Sequence, residues 1–158
     1  MDVRIGDPAR DAPIVAALRT AWTATSGDGP APDDDTLTDR IREWWEYDRR
    51  TVFLAGEYSL TGGGVSGMIS LHEYRRMPTP GADSSSWGYV GHLFVFPAVR
   101  REGYGRALID AVQQEARTRG YRRLVVAPSD MAAGLFHRNG FRAADELMVW
   151  EPDSATRS

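Results

Sequence analysis

Val90-Gly91-His92-Leu93-Phe94-Val95-Phe96-Pro97, running through Ala98 and Val99 into Arg100-Arg101-Glu102-Gly103-Tyr104-Gly105-Arg106-Ala107, decides how this chain is read. The apolar run reads as a strand, Pro97 as a turn, and Arg106 to Arg119 as a helix. A strand, a basic loop with glycines and a helix start, in that order, make an anion site. The first N–H groups of a helix have no partner within it, and the helix dipole adds partial positive charge there. Glycines at 103 and 105 let backbone approach an anion with no Cβ in the way. Arg100, Arg101 and Arg106 add charge-assisted donors. The loop is therefore expected to hold a phosphate or pyrophosphate.

Outward from this stretch the pattern alternates between strands and helices. Val3 to Ile5 reads as a first strand. Ile14, Ala17, Leu18, Ala21 and Trp22 fall at helical spacing, with Asp11 and Pro13 in the first turn. Asp35 suits the N-cap of a second helix whose apolar stripe is Leu37, Ile41, Trp44 and Trp45. Thr51 to Ala55 is a strand, Gly62 to Gly64 a hairpin turn, and Val65 to Tyr74 a third strand. Met77 to Ser86 is a polar Pro/Gly/Ser-rich loop, and Trp87 to Phe96 the fourth strand. Gly120 is placed to end the helix after the loop. Leu124 to Val126 reads as a buried strand, and Ser129 or Asp130 as the cap of a last helix ending at Asn139-Gly140. Phe141 to Ala143 and Leu147 to Trp150 are expected to supply final strands. The order predicts one α/β sheet with helices on both faces.

Composition narrows the chemistry. The chain has 158 residues, 42% hydrophobic and 26% charged, enough for one domain with its own core. It has no cysteine, which excludes disulfides, a thiol nucleophile and Cys-based metal sites. All 19 basic residues are arginine, so a P-loop lysine, a Schiff-base lysine and a lysine base are excluded. A net charge of -3 argues against a nucleic-acid partner. No long apolar run suggests a membrane span, and the first residues lack a signal-peptide pattern, so a cytoplasmic location is expected.

With these residues in view, the chain resembles the GCN5-related N-acetyltransferase (GNAT) family. There a central strand enters an Arg/Gln-x-x-Gly-x-Gly/Ala loop, matched by Arg100, Gly103 and Gly105, and a late helix ends in Gly-Phe, as at Gly140-Phe141. The resemblance implies a single-domain GNAT-like fold over residues 1–151 with a flexible tail at 152–158. Its mixed, mostly antiparallel sheet would be splayed at strands four and five. It implies an acetyl-CoA-dependent N-acetyltransferase acting on an amine of a small molecule or peptide by direct attack on the thioester. No metal is required, and homodimers are frequent in the family. A dinucleotide fingerprint fits less well, since Leu108 stands where its third glycine belongs.

The resemblance also assigns roles. Arg100, Arg101, Glu102, Gly103, Tyr104, Gly105 and Arg106 would hold the CoA pyrophosphate, mainly through backbone N–H groups. Leu93, Phe94 and Val95 would present backbone to the pantetheine arm, with one N–H stabilising the oxyanion. Ser129 would contact CoA or cap its helix. Family members place an acid or histidine two or four residues before the position of Leu93, but Gly91 and Tyr89 stand there. Tyr89 could relay a proton through water. His92 would face the other side of the strand unless a bulge re-aims it. His72 and Glu73 are further candidates. The tyrosine that usually serves as acid is replaced by Phe136, with His137 beside it. Of Trp44 and Trp45, one belongs in the core and the other could line a pocket. Asp33 to Asp35, Glu43 and Glu46 form the charged face of a surface helix by default, and would suit a cationic acceptor if they border its entrance. Two other classes stay open: a catalytically silent acyl-CoA-binding domain, and a module for another phosphorylated ligand.

Overall fold

The computed structural model describes residues 2–27, 29–57, 64–82 and 86–152. Its elements are β1 (Val3–Ile5), α1 (Pro8–Ser26), α2 (Leu37–Tyr47), β2 (Thr51–Gly56), β3 (Val65–Arg75), β4 (Ser86–Val95), α3 (Tyr104–Arg119), β5 (Arg123–Val126) and α4 (Asp130–Arg138), with a 3-10 turn at Pro97–Val99. The strands form one sheet in chain order. Neighbours are antiparallel except β4 and β5, which are parallel. A parallel step needs a crossover, and α3 supplies it.

Two cores lie on opposite faces of the sheet. On one face Val15 and Leu18 of α1 and Trp45 of α2 pack with Val52, Leu54, Met68 and Phe94. On the other Leu108, Ile109 and Val112 of α3 and Phe136 of α4 pack with Phe53, Ile69, Leu71 and Val90. Residues 51 to 55 are all buried because β2 is covered on both sides.

Two features of β4 position the site. The first is its length. Pairing with β5 runs from Trp87–Arg123 to Val90–Val126 and stops, while β4 continues to Val95. The sheet therefore splits alongside Gly91 to Val95, as expected from the resemblance. The second is a bulge. Met68 faces Phe94 and Ser70 faces Gly91, so two steps along β3 match three along β4. The extra residue sits where His92 takes φ 55. Alternation is reversed beyond it: Leu93 and Val95 join the α3 core, and Phe94 the α1–α2 core.

Several boundaries differ from the sequence reading. Helix α1 starts a turn earlier, at Pro8, because Asp7 caps it by accepting from the N–H groups of Ala9 and Arg10. Asp35 does not cap α2; Thr36 holds that position, and Asp34 accepts from its backbone N–H and its hydroxyl. β5 is half-buried, since its outer edge is unpaired among the described residues. The two final strands do not form. After Gly140, at φ 90, the chain turns over an Arg142–Glu146 ion pair, and Leu147 to Trp150 make no ladder. Met148 and Trp150 are 97% and 84% exposed. The expected turn residues Gly62 and Gly63, part of the 77–86 loop, and the tail beyond Pro152 lie outside the described residues.

Asp11, fully buried, ties β1 to α1. It accepts from Arg4 at 2.8 and 3.0 Å, from Arg10 at 3.1 Å and from the Asp7 N–H at 2.8 Å. Burial pushes its carboxyl upward, but hydrogen bonds from Arg4 and Arg10 outweigh that and hold it well below the usual carboxylate range. Asp11→Asn should cost about 2–3 kcal/mol, the range for hydrogen bonds to a charged group. A fully buried pair would cost more, but both arginines reach water. A carboxyl depressed in the folded state stabilises above its unfolded pKa of about 3.9, and that contribution is lost as pH falls through the folded value. Urea titrations of the two proteins should show a constant gap from pH 5 to 8 that narrows below about pH 4.

Candidate active site

The loop before α3 gathers backbone donors at a helix N-terminus. Gly103 is the N-cap of α3 at φ 94, a left-handed conformation that glycine adopts without strain, and no side chain caps the helix there. Arg101 also has positive φ. The first helical hydrogen bond runs from the Ala107 N–H to the Gly103 carbonyl at 3.0 Å. Among the described residues, no acceptor meets the backbone N–H of Arg101, Glu102, Gly103, Tyr104, Gly105 or Arg106. These donors converge at the positive end of a 16-residue helix.

Several side chains of this loop make contacts within the protein. The Arg100 guanidinium donates to the Val95 carbonyl at 3.0 Å and meets the Met131 sulfur at 3.4 Å, so it braces the end of β4 against α4. Arg106 lies 3.8 Å from Asp110. Tyr104 packs against the α3 core. Gly105 has a packing role: a Cβ there would lie 2.8 Å from Leu135, so its small size sets the approach of α4 to α3. Ser129 caps α4, its hydroxyl accepting from the Ala132 N–H at 3.2 Å.

Across the sheet lies a cavity of about 190 Å³, lined by Val15, Arg19, Leu37, Ile41, Trp44, Val52, Met68, Ile69, Ser70 and His92. The bulge brings His92 to this face. Its ring makes edge contacts with Trp44, centroids 5.3 Å apart, and with Trp22 at 6.2 Å. Nδ1 lies 2.8 Å from the Ser70 hydroxyl, which also reaches the Gly91 carbonyl at 3.0 Å. One hydroxyl proton cannot serve both. Both contacts are hydrogen bonds together only when the proton goes to the Gly91 carbonyl, which can only accept, and Ser70 accepts from Nδ1–H. That tautomer leaves Nε2 with its lone pair free, and no described residue hydrogen-bonds it. Desolvation, then the charges of Arg19 and Arg50, hold the imidazole below its ordinary value of 6.5. His92 is thus a neutral base near pH 7, oriented through its other nitrogen.

The other candidates stand elsewhere. Tyr89 is 48% exposed beside Gly91, and does not line the cavity. His72 lies 3.8 Å from Asp48. Glu73 is held by Arg75 at 3.0 Å and by the Tyr121 hydroxyl at 2.9 Å. Trp45 is core and Trp44 lines the cavity. Phe136 is buried edge-on to Phe141, so no hydroxyl stands at that position, and His137 is exposed. The acids expected to receive a cation do not line the cavity: Asp34 pairs with Arg40, while Glu43 and Glu46 border an open groove along α2. The sequence reading missed Ser70 and Arg19. An isolated polar residue in an apolar strand was the available signal for Ser70.

Comparison with known proteins fits this geometry. Over 76 residues the chain is 37% identical to the mycothiol acetyltransferase of Kineococcus radiotolerans, a match covering 48% of this chain and 25% of that protein. The chain thus spans about a quarter of that relative's length. A GCN5-related N-acetyltransferase from Ralstonia eutropha superposes with TM-score 0.67 and 25% identity, covering 95% and 97% of the two chains. A predicted acetyltransferase from Clostridium acetobutylicum, its structure determined with acetyl-CoA, gives TM-score 0.73 at 16% identity, covering 95% of each. The acetyltransferase (GNAT) family profile matches residues 15–141, a stretch that takes in the split sheet, the loop before α3 and the re-aimed histidine, and the chain belongs to that family.

Proposed function

We propose that the protein transfers an acetyl group from acetyl-CoA to an amine, with the α3 loop holding the pyrophosphate and His92 acting as general base. The observation that carries this reading is the pairing of two unfilled sets of groups at the split. Among the described residues, the N–H groups of Arg101 to Arg106 meet no acceptor on one side, and His92 Nε2 meets no hydrogen-bond partner on the other. A pyrophosphate fits the first and an ammonium proton the second.

The residues would work as follows. The loop N–H groups bind the diphosphate, and the free stretch of β4 from Gly91 to Val95 pairs with an extended amide-bearing arm. An amine with pKa near 10 arrives protonated; His92 Nε2 accepts one ammonium proton, which frees the nitrogen lone pair to attack the carbonyl carbon, and the second N–H proton of the adduct passes to solvent. A β4 N–H facing the split stabilises the oxyanion. The C–N bond forms, the C–S bond breaks, and the sulfur leaves as thiolate. With Phe136 in place of a hydroxyl, solvent protonates it; a thiol pKa near 8.5 makes that tolerable.

Calorimetric titration of acetyl-CoA into wild type and Gly103→Trp tests the loop. Binding to wild type that a correctly folded variant loses is expected, and no binding to folded wild type would sink the reading. His92→Gln should bind acetyl-CoA like wild type yet lose about 10²- to 10⁴-fold in kcat/KM. Because a base acts deprotonated, the wild-type pH profile should rise through an apparent pKa below 6.5, and this limb should vanish in the variant. An unchanged profile in the variant would remove His92 from the chemistry.

A further inference from the structure

The cavity beside His92 has a composition that selects its occupant, and this inference rests on the acetyltransferase reading above. Its walls are Val15, Leu37, Ile41, Trp44, Val52 and Met68, all apolar or aromatic. Its volume, about 190 Å³, exceeds the roughly 150 Å³ of an apolar cavity that accepts benzene. A ring or branched aliphatic group, with a short polar head, would fill it. Among the described residues no carboxylate lines it, and the one charged side chain there is Arg19.

Arg19 is set up to receive an anion. Its guanidinium lies over the Trp22 ring, 4.4 Å from the centroid, and its side chain lines the cavity. It has no ion pair among the described residues. Arg50, the other arginine near His92, is already taken by Asp48 at 3.2 Å and donates to the Trp44 carbonyl at 2.6 Å. A polycation would bring further positive charge to Arg19, and among the described residues no carboxylate lines the cavity to offset it. At an effective dielectric near 20, one extra like charge about 8 Å away weakens binding roughly 30-fold.

We propose that the acceptor is an apolar α-amino acid, aromatic or branched, whose side chain fills the cavity, whose carboxylate pairs with Arg19 and whose amine faces His92. The geometry gives each of the three groups its own partner. It also explains why the site has a neutral base and no carboxylate: a single amine must be deprotonated, and no second cation must be held.

The test compares kcat/KM for acetylation of L-phenylalanine, L-phenylalaninamide, spermidine and kanamycin by wild type, Arg19→Gln and Arg19→Lys, with acetyl-CoA binding measured on each. Phenylalanine and its amide share ring and amine and differ in the carboxylate. The amide has the less basic amine, so a preference for the acid reports anion recognition. Wild type should prefer the acid at least 10-fold and leave spermidine and kanamycin nearly untouched. Arg19→Gln should raise KM for phenylalanine about 10- to 100-fold with little change for the amide, and Arg19→Lys should restore part of the loss. Equal or better use of the amide, preference for either polycation, or acetyl-CoA binding with no turnover of any of the four would overturn the inference. In those cases the acetyl-CoA-binding reading stands. Failure of folded wild type to bind acetyl-CoA would take down both together.

Discussion

One extra residue in β4 sets the side-chain parity of the strand's second half, and both the core and the candidate site depend on it. Without it, Leu93 and Val95 would face α1 and α2 while Phe94 would be driven against α3. With it, Phe94 stacks on Trp22 at 5.8 Å and meets Phe96 edge-on at 5.6 Å. A non-glycine residue at positive φ costs on the order of 1–3 kcal/mol. The buried Phe94, the Ser70 contact and the two indoles against the ring offset that strain. Histidine is among the residues that tolerate this conformation best, so the strained position and the titratable ring coincide in His92.

The split between β4 and β5 gives this ring its consequence. Because β5 ends at Val126 while β4 runs on, the sheet opens beside the bulge. One wall of the opening leads to the N-terminus of α3, rich in unpaired donors, and the other to an apolar cavity with one arginine. In the proposed reaction a phosphate-bearing co-substrate and an apolar amine would enter from these two sides, with their reactive ends meeting at His92. Far from this junction, Arg119 joins Thr51 to Tyr121, and Tyr121 joins Glu73, so the closed end of the sheet is tied by charge and hydrogen bonds.

Much of the fold was legible because it is written in local pattern. The strand, loop and helix around Gly103 follow from apolar periodicity and glycine placement, and the donors at the start of α3 follow from them. Gly105 carried a mixed message: its spacing matched a phosphate loop, but its small size serves the contact with Leu135. The direction of His92 was legible only as a condition, since a bulge depends on the pairing of β3 with β4, and pairing is not a local property. Ser70 and Arg19 were missed for the same reason: their roles exist only once β3, β4 and α1 lie side by side. Leu147 to Trp150 has strand-like residues, yet β-propensity alone forms no ladder, and these side chains stay in water. The acids near α2 allow a charged helix face or a receiving surface, and three of them fit the first: Asp34 pairs with Arg40, and Glu43 and Glu46 border the groove along α2 and not the cavity.

The account turns on the orientation and neutrality of one ring, which long-range proton–nitrogen NMR of ¹⁵N-histidine-labelled protein reads directly across a pH series. His92 should show the Nδ1–H tautomer, an unprotonated Nε2 and a midpoint below 6.5, with Ser70→Ala altering the tautomer balance. An Nε2–H tautomer, or titration at or above 6.5 unaffected by Ser70, would contradict the bulge-directed base.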